Sequence, residues 1–147
     1  MAIGLRRLMC LALLVSATAT CGDDDVDALC EDGHCACEGD ECVCPSTGDC
    51  FIECRADCEL SCAGSGDCNF DCGEGCLVEC RSSGNCAVEV GEQGSVRCLG
   101  AGDCDVHCPG ACAVACEGSG DCNVSCGERA ADARECGDRL LACGDCP

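Results

Sequence analysis

The sequence predicts an all-β protein: a small, disulfide-rich parallel β-solenoid with 18-residue coils and two short strands per coil. Three observations carry this. Gly48, Gly66, Gly84, Gly102 and Gly120 lie 18 apart, and each is followed by Asp or Asn and then by Cys. Between them run pentads of the form Cys-x-apolar-x-Cys, an alternation of period two that marks a strand with one buried face. Finally, 26 of the 147 residues are Cys, with no Trp or Tyr and only two Phe. That is the composition of a scaffold in which covalent bridges stand in for a large apolar core.

Residues 1–20 read as a signal peptide. Arg6 and Arg7 form its charged end, Leu8 to Val15 its short apolar run, and Ser16 to Thr20 a small-residue cleavage region. Cleavage after Ala19 would release a secreted chain. Cleavage before Cys21 would make Cys21 the lipidated first residue of a membrane-anchored lipoprotein, facing the outer surface or the periplasm. Removing Cys10 with the signal and lipidating Cys21 leaves 24 cysteines, an even number that suits complete oxidation. Residues 21–43 then read as an acidic tether and N-terminal cap.

Residues 44–126 hold the repeats. The first pentad of each unit is seen in Cys50-x-Ile52-x-Cys54, Cys68-x-Phe70-x-Cys72, Cys104-x-Val106-x-Cys108 and Cys122-x-Val124-x-Cys126. The second is seen in Cys58-x-Leu60-x-Cys62, Cys76-x-Val78-x-Cys80 and Cys112-x-Val114-x-Cys116. Gly and Pro in every interval exclude a helix, and the turns suit Gly at positive φ. A stacked-hairpin meander is the alternative topology, but the constant register favours coils whose identical positions form columns. Residues 127–147 break the period, with Ala130 and Arg134 where Cys is due, and read as a C-terminal cap.

The exceptions suggest how the cysteines pair. In the third unit Val90 and Gly94 replace two cysteines together, while Cys86 and Cys98 remain. Joint loss implies partners across the short turn, hence Cys54–Cys58, Cys72–Cys76 and Cys108–Cys112. The other positions could pair within a coil or across the long turn. Pairing across the turn gives Cys44–Cys50, Cys62–Cys68, Cys80–Cys86, Cys98–Cys104 and Cys116–Cys122, and leaves an even set at each end. Pairing within coils leaves odd sets, so the across-turn scheme is preferred.

The net charge is −20, with eight Arg and no Lys. Such a surface repels nucleic acid and anionic lipid, so membrane contact would come only through a lipid on Cys21. Enzyme chemistry finds no support: the two histidines, His34 and His107, have no nucleophile at motif spacing, and bridged cysteines are not nucleophiles. No cofactor is expected. Two cation chemistries fit the spacing: Ca²⁺ on a corner column of Asp49, Asp67, Asp103 and Asp121, and, less readily, thiolate-bound metal at Cys35-Ala36-Cys37 and Cys42-Val43-Cys44. Against the first stands the plainer role of such residues in hydrogen-bonding their own turns.

The plan resembles the disulfide-threaded β-solenoids of insect antifreeze proteins, but the Thr-x-Thr face of those proteins is missing. Outward pairs here are mixed, as in Asn69/Asp71 and Asp105/His107, so ice binding does not carry over. Over residues 1–126, signal, Cys-Gly-Asp tether and Gly-[Asp/Asn]-Cys repeats together resemble bacterial Cys-rich repeat lipoproteins, a resemblance that brings no known activity. The expectation is an exported structural or interaction module at the cell surface, with an unidentified protein or surface partner and no catalysis. The alternative is a cation-binding protein.

Overall fold

A computed structural model describes residues 29–31, 34–36, 41–128 and 131–147. The expected signal segment 1–20, and Cys21 with the start of the acidic tether, lie outside the described residues. Fifteen strands follow in chain order: β1 Leu29–Glu31, β2 His34–Ala36, β3 Glu41–Val43, β4 Cys50–Ala56 and β5 Glu59–Cys62. Next come β6 Cys68–Glu74, β7 Leu77–Cys80, β8 Cys86–Val90, β9 Gly94–Cys98 and β10 Cys104–Cys108. The last are β11 Cys112–Cys116, β12 Cys122–Cys126, β13 Ala131–Asp132, β14 Arg134–Gly137 and β15 Leu140–Cys143.

The fold is a β-solenoid of two facing sheets. One runs β1-β2-β4-β6-β8-β10-β12-β13 and the other β14-β15-β11-β9-β7-β5-β3. A meander would pair each strand antiparallel with its sequence neighbour. Instead β4 lies parallel to β6 and β6 to β8, each step displacing the register by one 18-residue coil: Cys50↔Cys68, Ile52↔Phe70, Phe70↔Val88. The second sheet steps identically, Leu60↔Val78 and Val78↔Val96. Identical positions therefore stack into columns, as the constant spacing requires.

The interior is one residue wide. Ile52, Phe70, Val88 and Val106 form the inward column of the first sheet, and Leu60, Val78, Val96 and Val114 that of the second; all are buried. Cysteines flank these columns on both sides. Where the third unit lacks a bridge, Val90 fills the space, because a Cβ on Gly94 would collide with the Val90 Cγ2. A branched side chain opposite a hydrogen thus replaces two sulfurs, which is why the two substitutions occur together.

Two features differ from the sequence reading. β2 and β3 add a strand to each sheet: β2 runs parallel to β4 and β3 to β5, with Cys42 in register with Leu60. The segment expected as a cap over 21–43 thus includes strands of the solenoid itself, and β1 turns back antiparallel on β2. The repeated glycines also act otherwise than expected. Among Gly48, Gly66, Gly84, Gly102 and Gly120 only Gly48 has positive φ, at 88°. The other four are required by close approach, since a Cβ on each would strike the carbonyl oxygen of the glycine one coil below.

At the C-terminal end β14 and β15 form an antiparallel hairpin, and β15 lies antiparallel on β11, pairing Cys112↔Cys143 and Val114↔Leu141. This covers the second sheet. The first is covered only by β13, which pairs with Ser125 and Cys126.

Candidate functional site

Disulfides are the dominant chemistry. The structure joins Cys44–Cys50, Cys62–Cys68, Cys80–Cys86, Cys98–Cys104 and Cys116–Cys122 across the long turns. It joins Cys54–Cys58 and Cys108–Cys112 across the short turns. Cα separations at these seven bridges run from 5.8 to 6.5 Å. That is far below the roughly 10 Å of ordinary packed sheets, so both margins of the solenoid are pinched shut.

Two further bridges close the C-terminal end. Cys126 bonds Cys143 across a Cα distance of 5.4 Å, and Cys136 bonds Cys146 across 5.5 Å. The first continues the short-turn column. Residue 130 is Ala where the repeat calls for Cys, and the register Cys112↔Cys143 brings a cap cysteine one rung above Cys112 instead. Sequence spacing could not reveal this, because the replacement arrives on an antiparallel strand from 17 residues away.

The expected bridge Cys72–Cys76 is absent. Both residues are thiols and both are buried, at 3% and 0% exposure. They stand in the same column as Cys54–Cys58, and the Cys76 sulfur lies within 4.8 Å of both Cys54 and Cys58 sulfurs. Burial pushes the Cys72 thiol well up from its ordinary range, and Cys76 and the Asp71 carboxylate push the same way. The joint-loss argument located the pair correctly as neighbours, but adjacency alone does not fix oxidation state.

Groups of three cysteine sulfurs close enough to share an ion recur: Cys44/Cys62/Cys68, Cys80/Cys86/Cys104 and Cys108/Cys112/Cys143. Every sulfur in these three groups is in a disulfide. They offer no thiolate, and their closeness follows from stacking bridges one strand spacing apart. Cys42 is likewise disulfide-bonded.

The corner column of carboxylates has a different use. Asp49 Oδ1 accepts the backbone N–H of Asp67 at 3.0 Å, and Asp67 Oδ1 that of Asn85 at 2.8 Å. Asn85 Oδ1 accepts from Asp103 at 3.1 Å, and Asp103 Oδ1 from Asp121 at 3.0 Å. Each side chain ties its turn to the next coil rather than to itself. The ladder needs one acceptor oxygen per rung and no charge, which explains why Asn serves at position 85. No further coil follows Asp121, so the ladder ends there.

Outward positions of the first sheet carry Glu53, Asp71, Glu89 and Asp105 in adjacent coils, with Arg55 at the end of β4. Near the C-terminal end they are knitted together: Asn123 Nδ2 donates to Asp105 Oδ1 at 2.9 Å, and His107 Nδ1 pairs with Ser125 Oγ at 3.0 Å. A trough of about 780 Å³ runs along this face and ends against Asp132, Ala133 and Leu141 of the cap. The second sheet is mixed in sign, with an Arg81–Glu79 ion pair and an Arg97–Glu117 pair at 3.4 Å. No protein-family model, curated protein or solved structure matches this chain.

Proposed function

We propose that this chain is an exported structural or interaction module, a disulfide-braced acidic rod displayed at the cell surface and lacking catalysis. The observation that carries this is where the cysteines go. They line the interior in columns, bridged across nearly every turn, and so do the work of a core beneath outer faces that are mostly polar, with Val43 and Leu77 the large exposed apolar side chains among the described residues. Such bridges persist only where thiols are oxidised, outside the cytosol, in keeping with a signal peptide at 1–20. Attachment through a lipid on Cys21 supplies the anchor in this reading, and secretion is the other exit.

Mass spectrometry of the protein recovered from expressing cells, with surface labelling of the intact cells, tests it. The expected result is a chain lacking residues 1–20, oxidised at its repeat cysteines other than Cys72 and Cys76, and labelled from outside. An unprocessed chain with reduced cysteines and no surface label would overturn the reading. The cation-binding alternative rests on Asp49, Asp67, Asp103 and Asp121. Asp49, Asp67 and Asp103 each already commit Oδ1 to a backbone amide of the next coil, so scaffold is the preferred role for that column.

A further inference from the structure

The two ends of the interior are not closed alike. On the second sheet β15 pairs with β11 from Cys112 to Ala115. On the first, β13 reaches only Ser125 and Cys126, and no described strand pairs with the outer edge of Cys122–Val124. The consequence shows in the column: Val106 is buried at 2%, whereas Val124, one coil further on, is only half-buried. Cys122 is half-buried too, where Cys104 beneath it is buried. Val124 and its neighbours Ala133 and Leu141 line the end of the trough on the first sheet.

An open strand edge presents unpaired N–H and C=O groups, the template for an added strand. A strand continuing the register here would place one side chain above Val124, inward, and one above Asn123, outward, beside the place above Ser125 that Asp132 of β13 already holds. Around that outward place stand Asp105, one coil below, and Asp132, both exposed. Further along the trough lie Glu89 and Asp71, and no Arg lines it, Arg55 of β4 standing outside.

We propose that the edge Cys122–Val124 is a docking site for an extended cationic polypeptide segment that alternates basic and small apolar residues. It adds as a strand to β12, with its apolar residue completing the Val124 column and the Arg or Lys side chain above Asn123 reaching Asp105 and Asp132. Diagonal contacts of this kind lie within reach of long side chains. A second copy of the chain is disfavoured as occupant by a net charge of −20 on each. The proposal rests on the interaction-module reading and names the partner's chemistry.

The test is fluorescence anisotropy of the oxidised full chain with three short synthetic peptides: alternating Arg-Val, alternating Glu-Val, and Arg-Val with every second amide N-methylated. The Arg-Val peptide is expected to bind at least about tenfold tighter than Glu-Val, a margin of about 1.4 kcal/mol. N-methylation should abolish binding, because it removes strand hydrogen bonds while keeping the charge. The double variant D105N/D132N, with its β signal checked by circular dichroism, should weaken Arg-Val binding and flatten its salt dependence. Equal binding of the methylated peptide would show attraction to a diffuse acidic surface and overturn the site. Binding of Glu-Val as tightly as Arg-Val, or of no peptide at all, would also overturn it. The module reading would survive any of these results, since it fails only on processing, oxidation state and surface exposure.

Discussion

Replacing Gly102 with Ala gives the sharpest test of how the coils are packed. Gly102 does not have positive φ, so backbone conformation alone would favour alanine there, by about 0.4–1 kcal/mol through the unfolded chain. Tertiary structure reverses the sign. A Cβ at Gly102 collides with the carbonyl carbon and oxygen of Gly84 and comes within 3.0 Å of the Asn85 backbone nitrogen. These are backbone atoms with little room to yield, held by the Asn85–Asp103 hydrogen bond and the flanking bridges Cys80–Cys86 and Cys98–Cys104. Overpacking of this kind costs about 1–3 kcal/mol, so Gly102→Ala should destabilise by at least 1 kcal/mol. Guanidinium unfolding of the oxidised protein reads this as a lower midpoint at unchanged slope. Gly48, with φ of 88° and nothing within 4 Å of a Cβ, makes the contrast. Asn tolerates the left-handed region, so Gly48→Asn should be milder than Gly48→Ala, whereas Gly102→Asn should be no milder than Gly102→Ala. A Gly102→Ala protein as stable as the parent would refute the close-approach account.

Other expectations follow from the same geometry. Reduction under native buffer should abolish the β signal in circular dichroism, because each short-loop bridge contributes about 2 kcal/mol on the chain-entropy account and little apolar core remains; a reduced chain that keeps its strands would sink the scaffold argument. Asp67→Asn should change stability little, while Asp67→Ala, which leaves the Asn85 amide without its acceptor, should cost about 0.5–1.5 kcal/mol by chemical denaturation. Saturating calcium should leave the melting temperature unchanged if the Asp ladder is purely structural, and a clear rise would instead support cation binding. Thiol titration of the 72–76 pair should find both residues blocked in the native protein and both reactive in denaturant. Because the Cys72 thiol is pushed up on folding, the native state holds its proton when the unfolded chain releases it. Stability should therefore be intact below about pH 9 and fall above it, by at most about 1.4 kcal/mol per pH unit. A Cys72→Ser variant should show a shallower fall.

Much of this protein is written locally. Alternation of apolar residue and Cys over five positions defines a strand and its buried face, because side chains in a strand point alternately to opposite sides. The 18-residue recurrence then defines the coil, and bridges across four- and six-residue separations follow since both partners lie at one turn. Long-range placement is another matter. The collision that makes Gly66, Gly84, Gly102 and Gly120 necessary and the Asp-to-amide ladder are both contacts between successive coils. They exist only once the coils stack at strand spacing, so a reading of turns one at a time assigns the glycines to φ and the aspartates to their own turns. Cys143 completing the Cys126 bridge, and the open edge at Cys122–Val124, are decided by the cap. Its irregular sequence carries no period to extrapolate, and only its docking on β11 and β12 shows which rung it closes and which it leaves exposed.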